Sequence, residues 1–353
     1  MRVWVEALTP KQVLLFSYLQ HELPGYEFFL TTRDYDLNRE LAGKLWKEYY
    51  VVGRHGGRTP RGKVAESLRR QASLLRLVES KNPDAHVTFV SPDSARVAYG
   101  VGIPVVACND TPHSTIVSRL VIPLAEVLVV PQPVAAYFED YARLTRISPF
   151  RGVFEVAWVA RTQPDERVPR SLGLEPLNYV IVRTGEEKAF YYKEPRAALE
   201  VPLRMTRYIL RKTDMKVLLY PRYPEQKTAL AKGLSGYEGR LVFLERAEVL
   251  VHLEFFARLV ITGGGTIATE SALLGTPAIT TFPGRVEVHE YLRANGFPVY
   301  SGVTLENLPR ILRADQSIEG KMKVKAKASK LFQDPVRHIA KELQSILTEK
   351  MKT

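Results

Sequence analysis

The chain has one cysteine, Cys108, among its 353 residues. A single cysteine excludes an intramolecular disulfide and any metal site built from several cysteines. No apolar run is long enough to cross a bilayer, and the start MRVWVEALTP lacks the basic and then apolar order of a secretory signal peptide. These absences predict a cytoplasmic protein.

Several ligand and catalytic motifs are also missing. The chain contains no GxxxxGK[S/T] phosphate loop, no GxSxG nucleophile elbow and no GxGxxG fingerprint after its first predicted strand. The last absence disfavours hydride transfer with a nicotinamide cofactor. No aromatic-rich nucleic-acid motif is present, which disfavours nucleic acid as a partner.

The charge is unbalanced towards the basic side. Fifty Lys and Arg residues against 38 Asp and Glu give a formal net charge of +12. Such a field attracts anionic partners such as nucleotides, phosphorylated lipid carriers or an anionic membrane surface. The alternative, which stays open, is that the charge serves solubility and surface ion pairing.

Strands and helices alternate along the chain, and its length favours two domains. We predict an α/β protein with two Rossmann-like domains facing each other across a cleft, spanning residues 1–160 and 170–325, and a terminal helix at 326–353 that crosses back to the first domain. One long helix is predicted at Lys63–Ser80, with Val64, Leu68, Leu74, Leu75 and Val78 on its inner side.

The segment 257–284 reads as strand, glycine turn, helix, glycine turn and strand. Gly263, Gly264 and Gly265 lead into a helix at Thr266, and the N-terminus of a helix attracts anions. We therefore predict a phosphate or diphosphate site at the turn, with Glu270 accepting hydrogen bonds from ribose hydroxyls. The alternative is an ordinary tight turn with Glu270 on a solvated helix face.

Two loops of the first domain carry candidate chemistry. In the first, Arg54 or Arg58 could pair with a phosphate, His55 could act as a base, and Gly56 and Gly57 allow close approach to a ligand. The alternative for this loop is a flexible basic surface.

The second loop, Asn109–His113, follows the predicted strand PVVAC. Asp110 and His113 could form an acid–base pair or orient a sugar hydroxyl. An Asx-type turn with His113 near a helix start explains the same residues. Asp and His alone at this spacing are too few for a metal site.

In the second domain, Arg183 ends the first strand and could contact a diphosphate, and Arg222 lies in the loop after the next strand, where Tyr220 and Tyr223 could stack on a base. Simple turns explain both loops equally well. The segment Glu287–Glu290 could reach the cleft or lie on a solvated helix.

The stretch GGGTIATESALLGTP at 263–277 closely resembles the nucleotide-sugar site of the superfamily that unites GT-B glycosyltransferases and UDP-N-acetylglucosamine 2-epimerases. The whole chain resembles a largely archaeal family of MurG-like predicted glycosyltransferases. The matching segments are TTRDYD at 31–36, GRHGG at 53–57, SPDSARVAYGVGIPVVACNDTPHS at 91–114, YPRYPEQ at 220–226 and GGGTIATESALLGTPAITTFPG at 263–284.

This resemblance implies an acceptor on the first domain and a nucleotide sugar on the second. Gly263 to Thr266 would contact the diphosphate and Glu270 the ribose, with no bound metal or cofactor. The epimerase branch usually carries a histidine in the loop after the first strand of the second domain. Here that loop reads Arg183-Thr184-Gly185, which disfavours epimerisation.

We therefore expect a glycosyltransferase that uses a nucleotide sugar, with UDP as the nucleotide, and an unknown acceptor. Asp110, His113 and His55 are the candidate bases. The acceptor could be a phosphorylated lipid or glycan at the membrane surface. The alternatives are a UDP-sugar 2-epimerase or a UDP-releasing hydrolase, and a non-catalytic protein that binds nucleotides or polyanions.

Overall fold

The computed structural model describes residues 1–35, 37–57, 59–186, 196–244 and 250–350. The chain divides into two compact units, the first formed by Met1–Trp158 with Phe332–Thr353 and the second by Val159–Leu331. Each unit contains one parallel sheet, which confirms the predicted class of two α/β units.

The sheet of the first unit has seven strands in the order β3-β2-β1-β4-β5-β6-β7, and all neighbours pair in parallel. Its central strands are buried along their full length, as expected for a sheet covered on both faces. The strands are β1 (Arg2–Glu6), β2 (Glu27–Asp34), β3 (Tyr49–Arg54), β4 (Ala85–Thr88), β5 (Val105–Cys108), β6 (Val127–Pro131) and β7 (Arg146–Phe150).

Helices connect these strands. They are α1 (Pro10–Ser17), α2 (Leu19–Glu22), α3 (Asn38–Leu45), α4 (Pro60–Lys81), α5 (Pro92–Gly100), α6 (Thr115–Val121) and α7 (Val156–Val159), with 3₁₀ helices at Ile122–Leu124 and Gln132–Tyr141. Among the described residues, no helix combines the length and the hydropathy that crossing a membrane requires.

The second unit has a parallel sheet of six strands in the order β10-β9-β8-β11-β12-β13. Its strands are β8 (Tyr179–Arg183), β9 (Lys216–Tyr220), β10 (Leu241–Phe243), β11 (Leu259–Thr262), β12 (Ala278–Thr280) and β13 (Val299–Ser301). Its helices are α8 (Arg167–Ser171), α9 (Ala197–Lys212), α10 (Pro224–Gly233), α11 (Leu250–Phe256), α12 (Gly265–Leu273), α13 (Glu287–Ala294), α14 (Leu308–Arg313) and α15 (Ile318–Leu331), with a 3₁₀ helix at Glu238–Arg240.

The last helix, α16 (Pro335–Lys350), belongs to the first unit and packs against β4, β5 and β6. Its buried face includes Val336, Ile339 and Leu343. Glu342 ties it to the edge strand β7, because its carboxylate pairs with Arg146 at 2.6 Å and accepts a hydrogen bond from the Ser148 hydroxyl at 2.6 Å.

In each sheet, successive strands are added first towards one edge and then, after a single reversal, towards the other. In the first sheet the reversal lies between β1 and β4, and in the second between β8 and β11. Ligands of open parallel sheets bind outside the carboxyl ends of the strands at such points. The loops after these strands are therefore where a site is expected.

Helix α4 departs from the predicted pattern. It extends over Pro60–Lys81, and the prediction that Val64 and Leu68 face inwards is wrong, since these side chains are 59% and 62% exposed. Arg70 is buried instead, because Glu6 and Asp93 lie against its guanidinium. The inner face of α4 is thus formed by Arg70 and Leu74, four residues apart. The ion pairs of Arg70 take the place of the apolar contacts that were expected from Val64 and Leu68.

Candidate functional site

The glycine turn of the second unit lies where β11 meets α12. The N–H of Gly263 donates to the carbonyl oxygen of Arg183 at 3.2 Å, and the N–H of Gly264 donates to the Thr262 hydroxyl at 3.0 Å. Gly264 is the N-cap of α12, and the helix begins at Gly265. The first N–H groups of a helix have no acceptor within the helix, and they point outwards with the positive end of its dipole.

The fold itself does not require glycine at 264 and 265. Gly264 has φ −116°, and neither residue adopts a positive φ. A Cβ at Gly265 would meet nothing within 4 Å, and a Cβ at Gly264 would meet only the Thr262 hydroxyl, at 3.7 Å. The missing side chains therefore leave open space in front of the helix N-terminus.

Glu270 lies one turn into α12 and is buried, with 7% of its surface exposed. Its neighbour is Glu254 of α11, which is fully buried. Burial, and next the adjacent Glu270 carboxyl, raise the pKa of Glu254 well above its ordinary value. Both effects favour the neutral, protonated form of Glu254 over its carboxylate.

Arg183 ends β8, the strand next to β11, and Arg222 lies in the loop after β9, two strand positions from β11. The Arg183 guanidinium is buried and stacks on Tyr220, with its carbon 3.7 Å from the ring centre. Arg222 pairs with Glu186 at 3.2 Å, and its backbone N–H donates to the Thr184 hydroxyl at 3.1 Å. The fold thus brings the backbone carbonyl of Arg183 against the glycine turn and holds Arg222 in an ion pair after β9, the neighbouring strand of β8.

The segment Glu287–Glu290 starts α13, and His289 within it is buried. A ring nitrogen of His289, Nε2, lies 3.2 Å from the carbonyl oxygen of Gly265. His289 also lines a cavity of about 240 Å³ together with Thr280, Gly284, Arg285, Val286, Glu290, Arg293, Val299 and Ser301. This part of the segment therefore lies next to the turn.

The first unit places an ion cluster at the carboxyl ends of β1 and β5, which we call the Lys11 cluster: Lys11, Asp110 and Glu155. The Lys11 ammonium donates to the Asp110 carboxylate and, at 2.7 Å, to Glu155 Oε1. It also lies 5.5 and 5.7 Å from the ring centres of Phe89 and Phe154. Two aromatic rings, the buried carboxyl group of Glu155 and the partly exposed carboxyl group of Asp110 thus surround the ammonium.

Burial opposes the charge on each end of the Lys11 cluster. It disfavours the ammonium, but Asp110 and Glu155 outweigh it and hold the pKa of Lys11 above its ordinary value. Burial raises the pKa of Glu155, against the attraction of Lys11, and Asp110 raises it further. The cluster carries two carboxyl groups for one ammonium. With both carboxyl groups ionised, its net charge is negative, which favours accepting a proton.

The remaining candidates of the first unit lie elsewhere. His113 is exposed after the Asp110 turn, in which the Thr111 N–H donates to Asn109 Oδ1 at 2.8 Å. His55 is exposed after β3, and its Nδ1 accepts from the Gly57 N–H at 3.2 Å. Because β3 and β5 are four strand positions apart, about 19 Å at the usual spacing, His55 and Asp110 do not form one dyad.

The loop after β3 contains two glycines that are required for different reasons, Gly56 and Gly57. A Cβ at Gly56 would lie 2.6 Å from the Lys63 backbone, so packing requires this glycine. Gly57 has φ +74°, so conformation requires that one. Arg54 is exposed and pairs with Glu66 at 3.4 Å, while Arg58 lies outside the described residues.

Sequence reasoning missed Lys11, Glu155 and Glu254. The available signal was an acid within an apolar segment, as in VFEVAWV around Glu155 and LVHLEFFA around Glu254. Such an acid must be paired or neutral. Among the described residues, no group of three or more His, Cys, Asp or Glu side chains is placed to hold a metal ion.

Comparison with solved structures defines the class of fold. UDP-N-acetylglucosamine 2-epimerase from Rickettsia bellii superposes with a TM-score of 0.72 at 16% identity, covering 100% of this chain and 98% of that one. Spinosyn rhamnosyltransferase SpnG, complexed with thymidine diphosphate, superposes with a TM-score of 0.64 at 15% identity, covering 98% and 100%. The chain shares the fold of these two proteins, which confirms the predicted fold of two Rossmann-like units.

Within that class, the chain belongs to the DUF354 family, described as a protein of unknown function, whose profile matches residues 1–343. An uncharacterised protein of Methanocaldococcus jannaschii, MJ0665, is 27% identical over 294 residues, covering 80% of this chain and 82% of the relative. The closer likeness to MurG stays a prediction.

Proposed function

We propose that this protein is an enzyme that transfers a sugar from a nucleoside diphosphate sugar, with UDP as the nucleotide, to an acceptor. The observation that carries the proposal is the open glycine turn at the N-terminus of α12. Glycines that neither conformation nor packing requires are best explained by a ligand that approaches the backbone.

The donor's diphosphate would bind at Gly264, Gly265 and Thr266. The N–H groups of Gly265 and Thr266 and the helix dipole favour negative charge there, and Gly264, whose own N–H donates to Thr262, allows close approach. The same groups would stabilise the leaving UDP as charge develops on it. Glu270 would accept hydrogen bonds from the ribose. Arg222 would supply a positive charge from the loop after β9, two strand positions from β11, exchanging Glu186 for a phosphate.

The Lys11 cluster would supply the chemistry on the acceptor. Asp110 lies at the strand end and is partly exposed, with 15% of its side chain accessible. It is the candidate base for the acceptor hydroxyl, and Lys11 would hold it in place.

A second candidate function is epimerisation of the UDP-sugar. The observation that favours it is the pair of carboxyl groups, Asp110 and Glu155, around one ammonium, because removing and returning a carbon-bound proton needs an acid and a base. The missing histidine after β8 argues against it.

The test is incubation with UDP-N-acetylglucosamine, followed by NMR of the sugar and assay of released UDP. Under the leading proposal, turnover requires an added acceptor, and Asp110→Asn lowers the rate about 10²- to 10⁴-fold. Epimer formed without acceptor would replace the leading proposal with the second. Absence of UDP binding by isothermal titration would contradict both.

A further inference from the structure

A basic cavity of about 480 Å³ lies in the first unit where β2 and β3 end against α4. It is separate from the Lys11 cluster, which follows β1 and β5. Four arginines and two carboxylates are among the residues that line it: Asp34, Arg39, Val51, Gly53, Arg54, Glu66, Arg69, Arg70 and Ser73.

Arg70 is the buried member of this lining, with 3% of its surface exposed. Its Nε donates to the Val52 carbonyl oxygen at 2.8 Å, and its Nη1 pairs with Glu6 at 2.6 Å and with Asp93 at 3.4 Å. Its Nη2 is buried and has no hydrogen-bond partner among the described residues. Buried donors normally have an acceptor, so this nitrogen indicates a missing acceptor atom.

Arg33 of β2 adds to the positive field around Arg70. Burial, and next the neighbouring Arg70, lower the pKa of Arg33. Its Nε is likewise buried without a hydrogen-bond partner in the part of the chain that the structure describes. Two guanidinium groups held close together favour an anion beside them.

The backbone is shaped to allow this arrangement. Gly53 has φ +70°, and a Cβ there would lie 3.3 Å from Cγ and Cδ of Arg70. Glycine is therefore needed where the chain leaves β3 and passes over the arginine. The loop sequence thus accommodates a buried arginine rather than an apolar side chain.

The rim of the cavity carries cations that can change partners. Arg54 and Arg69 share one carboxylate, Glu66, at 3.4 and 2.7 Å, and their side chains are 76% and 70% exposed. Exposed ion pairs of this kind are weak and are readily exchanged for a stronger partner. A phosphate dianion is such a partner, because the planar guanidinium binds two of its oxygens at once.

We propose that this cavity binds the phosphate group of a phosphomonoester or a diphosphate. Nη2 of Arg70 would bind it from the buried side, and Arg54 and Arg69 from the rim. The proposal that an anion binds here depends only on the observed cavity and not on the proposed function. Its assignment to the acceptor, as a phosphorylated acceptor, rests on the proposed function.

The test is isothermal titration of the full chain with pyrophosphate, comparing two double variants. Arg54→Ala with Arg69→Ala should weaken binding about a hundredfold, since each of the two lost charge-assisted contacts is worth about a factor of ten. Arg119→Ala with Arg143→Ala removes the same charge from exposed sites in the same unit and should leave binding within about twofold. Glu66→Gln removes the competing carboxylate and should tighten binding.

Equal losses in the two double variants would overturn the proposal, because they would show attraction to net charge only. No binding, or no tightening by Glu66→Gln, would overturn it as well. Gly265→Val, which obstructs the turn of the second unit, should abolish binding of UDP and of pyrophosphate at the turn. It should leave the Arg54- and Arg69-dependent binding of pyrophosphate intact, so the two sites can fail separately.

The source of the phosphate is distinguished by two further probes. Glucose 1-phosphate in solution tests a soluble acceptor. Phosphatidylcholine vesicles with and without phosphatidic acid test a lipid one. If binding of either probe depends on Arg54 and Arg69, the site is supported. If a probe binds but its binding depends on neither arginine in both assays, the assignment to the acceptor is contradicted.

Discussion

The carboxyl edges of the two sheets have the same topology and different chemistry. In the second unit, the edge presents backbone N–H groups at an open helix N-terminus, with two buried carboxyls behind it. In the first unit, the edge presents charged side chains held in ion pairs. A backbone site suits a fixed anion such as a diphosphate, whereas titratable side chains suit proton transfer. The comparison therefore favours the proposed division, with donor binding in the second unit and acceptor chemistry in the first.

The largest expected effect comes from breaking the Lys11 cluster. Lys11→Met would leave the buried Glu155 and the partly exposed Asp110 without their cation and should lower the free energy of unfolding by about 3–5 kcal/mol. Denaturant unfolding measures this.

The matched control for Lys11→Met is Lys44→Met, which breaks the exposed pair with Glu40 and should cost at most about 1 kcal/mol. Equal costs for the two variants would show that the Lys11 cluster is solvated rather than buried.

The buried pair of the second unit should make stability depend on pH. The pKa of Glu254 is raised in the folded state, so the folded protein binds the extra proton, and stability falls as pH rises from the unfolded value of about 4.3 through the folded value. The loss is at most about 1.4 kcal/mol per pH unit in that window.

Glu254→Gln removes the ionisable group and should remove this part of the pH dependence. Glu225→Gln changes an exposed glutamate of the same unit and should keep the wild-type profile. If the free energy of unfolding changed equally between pH 5 and pH 9 in the wild type and in Glu254→Gln, the pKa of Glu254 would not be raised in the folded state.

A smaller effect is expected at Arg222. Arg222→Ala should weaken UDP binding about tenfold by removing one charge-assisted contact. Its ion pair with Glu186 is partly exposed, so stability should change by no more than about 1 kcal/mol. Isothermal titration beside Arg211→Ala, an exposed arginine of α9, checks this, and similar losses in both would place Arg222 outside the site.

The features that depend on local sequence pattern could be predicted from the sequence. The apolar strands, the glycine turns and the alternation of strand and helix were all visible along the chain, and they determine both sheets. The helix at Gly265 and the turn before it follow from glycine and dipole arguments that involve neighbouring residues only.

The missed residues depend on partners that are distant in sequence. Lys11 pairs with residues 99 and 144 positions away. Arg70 lies in a helix rich in basic residues, and only the fold reveals that Glu6 in β1 lies against it. Periodicity placed Val64 and Leu68 inside because hydrophobic spacing does not register a buried ion pair.

The most direct test of the central claim is to titrate the ¹⁵N-labelled protein with UDP and follow the backbone amides by NMR. If the glycine turn holds the diphosphate, the amide signals of Gly264, Gly265 and Thr266 shift most, and Gly265→Val abolishes the shifts while Gly25→Val, at an exposed glycine with equal open space, does not. Shifts confined to the first unit, or saturable UDP binding that leaves these three amides unmoved, would contradict the account.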